Sequence, residues 1–140
     1  MPRMPAITKL LEALADEPVA VLRKFDDRVR IRISDDESAI VTVQIINGQF
    51  VFKVSRRCLD YGYNIGNVFA EFCKQWRKDH PGTAAHIWYT HDGWVPIFKK
   101  VYEIPDSKKE MKRLVQEIML GTDMQDALAF LDEIEDNIRR

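Results

Sequence analysis

Val29-Arg30-Ile31-Arg32-Ile33, followed by Ile40-Val41-Thr42-Val43-Gln44-Ile45-Ile46-Asn47-Gly48-Gln49-Phe50-Val51-Phe52-Lys53-Val54-Ser55, is the stretch that decides the fold. Successive side chains of a strand leave on opposite faces. Val29, Ile31 and Ile33 therefore share an oily face, and Arg28, Arg30 and Arg32 share a cationic one. Residues 40–46 are rich in β-branched side chains, which favour a pleated surface. Asn47-Gly48 is a strong hairpin signal, because both residues tolerate the positive φ that a tight hairpin turn requires. The polar run Ser34-Asp35-Asp36-Glu37-Ser38 joins the first strand to the second. Residues 28–55 thus predict a three-stranded antiparallel meander.

Working outward, residues 5–15 predict a helix, since Ile7, Leu10, Leu11 and Leu14 fall on one stripe. Asp16-Glu17-Pro18 stops it, because proline cannot continue a helix. Residues 19–25 fit either a short helix or an extended lead into the sheet. After a loop at 56–66, residues 64–78 predict a helix whose apolar face holds Val68, Phe69, Phe72, Cys73 and Trp76. Pro81-Gly82 ends it. Residues 84–89 and 94–102 predict two more strands around Asp92-Gly93, read as a second turn of the Asn-Gly kind. Pro96 suggests that the last strand lies at an edge or starts irregularly. Residues 107–140 are helical again, either as a hairpin or as one kinked helix, with a break at Gly121 and with Thr122 or Asp123 as a cap. The expected fold is α+β. It is a single domain over residues 1–140, with an antiparallel five-stranded sheet in the order α-βββ-α-ββ-α, covered on one face by helices.

Composition narrows the function classes. The chain has 140 residues, 46% apolar and 31% charged, which suits one globular domain. No apolar run approaches a membrane span, and the N-terminal residues do not read as a secretory signal, so a soluble cytoplasmic protein is expected. Cys58 and Cys73 form no Cys-x-x-Cys pair and are expected as free thiols, as is usual in a reducing compartment. A net charge of −1 gives no global field to attract nucleic acid. Six acids and no base lie between residues 123 and 136.

Motifs that carry chemistry are sparse. Arg28, Arg30 and Arg32 could grip phosphate or an acidic peptide, or could simply be a solvated face. His80, His86, His91 and Asp92 could be imagined around a metal. However, His86 and His91 would leave a regular strand on opposite faces, and Asp92 is explained by the turn, so no metal is expected. Tyr61-Gly62-Tyr63-Asn64-Ile65-Gly66-Asn67 precedes a helix without a phosphate-loop pattern, so no nucleotide cofactor is expected. No nucleophile elbow is present. A binding protein is expected rather than an enzyme.

The layout resembles that of class I type III secretion chaperones and of the YbjN family of bacterial chaperone-like proteins. The resemblance rests on the meander with its Asn47-Gly48 turn, the helix around residues 68–76, the hairpin Ile87-Trp88-Tyr89 to Ile97, and the closing helix from Lys108. It implies a homodimer that binds a non-globular segment of another protein. It also implies a dimer interface around Phe69, Phe72, Trp76 and Trp88, and partner binding around Leu10, Leu11, Arg28, Arg30 and Arg32. Two other classes remain in play. One is an inhibitor or immunity-type protein whose acidic last helix (Asp132, Glu133, Glu135, Asp136) covers a basic site on an enzyme. The other is a small enzyme with a site built from the 61–67 loop and the 86–92 hairpin.

Overall fold

Alternation of oily and polar residues builds the middle of a six-stranded, wholly antiparallel sheet. The structure is a computed structural model and describes residues 6–17, 19–32, 39–56 and 65–138. In chain order the elements are α1 (Ala6–Leu14), β1 (Ala20–Lys24), β2 (Arg28–Arg32), β3 (Ala39–Ile46), β4 (Gln49–Arg56), α2 (Gly66–Asp79), β5 (Ala84–Thr90), β6 (Gly93–Glu103), α3 (Lys108–Leu120) and α4 (Thr122–Ile138). The strands lie in the order β1-β2-β3-β4-β6-β5. The chain leaves β4, crosses through α2, lays down β5 at the far edge and returns as β6 beside β4.

The α+β class and the helix-covered sheet are as expected, but the strand count is six instead of five. The addition is β1, from the stretch that was ambiguous in sequence. All five of its residues are exposed, so no buried face imposes an alternation that could be read. Its pairing with β2 is irregular between Val21 and Arg23.

Pairing register explains the core. Ile31 faces Val41, Val41 faces Val54, Val54 faces Phe98, and Phe98 faces Ala85, so one buried row crosses five strands. Phe52 meets Phe98 edge-on at 6.3 Å. The helices press onto this face. α1 buries Ile7, Leu10, Ala13 and Leu14, and α4 buries Met124, Ala127, Phe130, Leu131 and Ile134. Phe130 joins α4 to α2 by lying 5.9 Å from Phe72 and 5.4 Å from Trp76.

The Asn47-Gly48 turn has φ of +53° and +76°, the conformation that its sequence predicts. The second hairpin differs. Its ladder closes at Thr90↔Gly93, so the turn residues are His91 and Asp92, and Gly93 takes the positive φ of +130°. Thr90 Oγ1 donates to the Gly93 carbonyl at 2.7 Å and locks the corner. Pro96 does not mark an edge, since β6 lies inside the sheet. The β4–β6 ladder ends at Ser55↔Ile97, so no bond to β4 is lost at Pro96.

The C-terminal segment is a helix pair. The Gly121 N–H bonds the Glu117 carbonyl at 3.1 Å, and a Cβ on Gly121 would stand 2.4 Å from that carbonyl oxygen. The α3–α4 corner therefore requires glycine. Gly121→Ala must open it, at about 1–3 kcal/mol, which a thermal melt reads as a fall of about 3–10 °C. An unchanged melt would show that the corner relaxes freely.

Candidate functional site

With the helices on one face, the opposite face carries the residues of the other parity. They include Arg28, Arg30 and Arg32 of β2, Thr42 and Gln44 of β3, Val51 and Lys53 of β4, Ile97, Lys99 and Val101 of β6, and His86 and Trp88 of β5, with one acid, Glu103, at the end of β6, where it accepts from Gln49 Nε2 at 2.8 Å. Most are half-exposed or exposed, with Val101 at 51% and Trp88 at 55%.

Register makes this face cationic in a way that the arginine comb alone does not. Arg23 of β1 lies directly opposite Arg30, and Lys53 of β4 lies directly opposite Lys99. Directly opposed like charges destabilise a sheet. Lys53 Nζ donates to Gln44 Oε1 at 3.1 Å, a neutral partner. Burial, and then Lys99 and Arg28, hold the Lys53 ammonium below its usual pKa. Burial, and then Lys99 and Arg77, likewise lower His86. Two guanidinium groups lie over the Phe25 ring, Arg23 at 4.8 Å and Arg28 at 4.6 Å from its centre. A shallow pocket of about 140 Å³ opens here, lined by Phe25, Arg28, Arg30, Thr42, Gln44 and Lys53. None of these is a carboxylate.

Both sheet edges are blunted. β1 is short, irregular in register and carries Arg23 and Lys24. At the other edge α2 lies along β5, and Arg77 Nη1 donates to the Ala85 carbonyl at 2.6 Å. The face is the more open surface.

The expected site residues divide. Arg28, Arg30 and Arg32 do lie on the open face of β2. Leu10 does not belong with them: it is 1% exposed in the core, and Leu11 is half-buried against that core. A stripe that could have met a partner instead meets the protein's own interior. The expected dimer contacts divide similarly. Phe69 is buried against Trp94 at 5.3 Å, and Trp76 is buried and stacks on His80 at 3.7 Å. Phe72 is half-buried, whereas Trp88 is exposed. Trp88 and Trp94 are not cross-strand neighbours. Trp94 faces Tyr89, and Trp88 faces Val95 on the other side of the sheet.

Other candidates are dispersed. His86 is on the open face, His91 is in the turn, and His80 lies on Trp76. Among the described residues no three His, Cys, Asp or Glu side chains stand close enough to share a metal. Residues 61–64 and Cys58 lie outside the described residues, and no side-chain cap starts α2 at Ile65. Cys73 is a buried free thiol whose pKa burial pushes up to about 11, so it is inert packing. Of the acids in α4, Asp132 and Glu135 accept from Arg56 at 2.7 and 2.9 Å, tying α4 to β4. Sequence reasoning misses Asp123, whose position after Gly121 suggests no more than a cap. It is 4% exposed, and its carboxylate accepts from Lys100 Nζ and Tyr102 Oη, both on the core side of β6. A lysine at the core parity of a strand (Phe98, Lys100, Tyr102) was the available signal.

No helix among the described residues is long and apolar enough to cross a membrane. No family model and no curated protein matches the chain. Among solved structures it is similar to the crystal structure of YbjN, a candidate transcription regulator from E. coli, at 8% identity and a TM-score of 0.67, over 92% of this chain and 91% of that one. The α+β fold is therefore of the YbjN kind.

Proposed function

We propose that the protein is a non-enzymatic binding module of the chaperone or adaptor type, which holds an extended segment of a partner protein against the helix-free face of its sheet. The observation that carries this reading is the pair of like-charge oppositions, Arg23 with Arg30 and Lys53 with Lys99, on a face that no described helix covers. Such an arrangement costs stability in the free protein and gains it when an opposite charge arrives. The blunted edges favour docking on the face over strand addition at an edge. In the homodimer that belongs to the same reading, Trp88 is the exposed contact residue among those expected.

The test is capture from native cells by the tagged wild type and by Arg30→Glu/Lys53→Glu, with cross-links mapped by mass spectrometry. A stoichiometric partner whose bound segment cross-links to β2–β4 and β6, and is lost in the variant at an unchanged melt, is expected. Equal capture by both proteins, or none by either, would sink the reading.

A further inference from the structure

The pocket at Arg28, Arg30 and Lys53 is more specific than a charged surface. Its cations come from two different strands and converge because β3 between them contributes the short Thr42 and the neutral Gln44. The Phe25 ring stacks on the Arg28 guanidinium and forms one wall. A guanidinium stacked on a ring is fixed in plane, with its N–H edge left to donate to a planar anion. Among the described residues the nearest acid to these groups is Asp27, at 4.0 Å from Arg28 Nε, in an exposed and therefore weak pair.

We propose that this pocket is an anion site and that its ligand is a carboxylate side chain of an acidic, extended segment in the partner protein. The proposal rests on the reading of the open face as the partner surface and names the chemistry that surface selects. Hydrogen bonds from charged donors to a carboxylate fit two arginines and a lysine around a pocket of about 140 Å³. The row that starts at Arg28 and Gln44 continues as Val51 and Val101, of which Val101 is exposed, which suits a segment alternating acidic and apolar side chains. A nucleic acid is the poorer fit. Single strands bind sheets through aromatic platforms beside their cations, and the exposed Trp88 lies four strand positions from β2, roughly 19 Å away.

Fluorescence anisotropy at low salt tests this with three labelled probes: the peptide Gly-Glu-Val-Glu-Val-Glu-Gly, its glutamine counterpart, and a thymidine 12-mer. The glutamate peptide is expected to bind about tenfold tighter than the glutamine peptide. That preference should vanish in Arg30→Gln/Lys53→Gln, whose melt is unchanged. Equal binding of the two peptides, or discrimination that survives the substitutions, overturns the proposal. Tighter binding of the 12-mer would assign the face to nucleic acid, and a wild-type dimer that falls apart in the variant would assign it to a second copy; either result overturns the proposal too. If cells yield a partner that needs Arg30 and Lys53 while the two peptides bind alike, the carboxylate assignment fails and the binding function stands. If neither partner nor peptide binds, both fail.

Discussion

Leu10→Asp unfolds the protein or brings it to the edge of unfolding at neutral pH. Leu10 is 1% exposed, on the inner stripe of α1 with Ile7, Ala13 and Leu14. Removing the leucine forfeits about 2–3 kcal/mol of burial. The aspartate that replaces it has no cation on that stripe to pair with, so it must be taken in neutral. Protonating a carboxyl of ordinary pKa at pH 7 costs about 4 kcal/mol. The sum, about 6 kcal/mol, is comparable with the whole stability of an ordinary domain. Far-UV circular dichroism and urea titration read the effect directly. Arg30→Glu is the informative contrast. It lies on the open face and replaces one of two opposed arginines, so its melt should stay within about 0.5 kcal/mol of wild type or rise. If Leu10→Asp melts within a few degrees of wild type, α1 is not docked as described, and Leu10 returns as a residue a partner could reach.

That contrast shows what a sequence can and cannot reveal here. The apolar stripe of α1 is plain in the spacing of Ile7, Leu10, Leu11 and Leu14, but a stripe does not say whether it meets its own sheet or another protein. The packing of α1 with α3 decides this, and Lys112–Asp16 and Lys108–Glu12 ion pairs border that seam. Phe69 and Trp76 follow the same logic: their apolar face was legible, and its burial under Trp94 and Phe130 was not. The meander was legible because each strand has one buried face that forces alternation. β1 has none, and so it read as ambiguous. Half of the cationic face was also legible, as the comb on β2. The other half depends on Lys53 facing Lys99, a pairing made only when the α2 crossover brings β6 beside β4. Local sequence carries no trace of a register between strands so far apart in the chain. The fold likeness to YbjN at 8% identity and a TM-score of 0.67 fits this, since the backbone architecture is shared where few individual residues are.

Asp123→Ala is expected to cost about 2–4 kcal/mol, more than any other single polar substitution among the described residues. The carboxylate is buried at the start of α4 and accepts from both Lys100 and Tyr102, which occupy core-side positions on β6. Removing it leaves an ammonium and a hydroxyl without their partner, and breaking a buried pair from one side costs about 3–5 kcal/mol. The lysine side chain is 29% exposed, so it can reach water and reduce that figure. Replacing the charges together, as in Lys100→Met/Asp123→Leu, should recover much of the loss, because no unpaired charge then remains. A double-mutant cycle by urea unfolding separates the two effects, and additive losses would mean that the groups do not act as a pair. The same cluster sets a pH dependence. Burial first, and then the Asp123 carboxylate, raise the Tyr102 pKa far above its usual value, so the folded state holds this proton more tightly than the unfolded chain does. Stability from that hydroxyl is complete below about pH 10 and is lost as pH rises past it, by up to about 1.4 kcal/mol per unit. Tyr102→Phe lacks the hydroxyl and escapes this loss. The wild type should therefore be the more stable protein at pH 8, and its advantage over Tyr102→Phe should shrink or reverse by pH 11. A constant difference between the two proteins across that range would place the hydroxyl in water, and with it the anchor that holds α4 to the sheet.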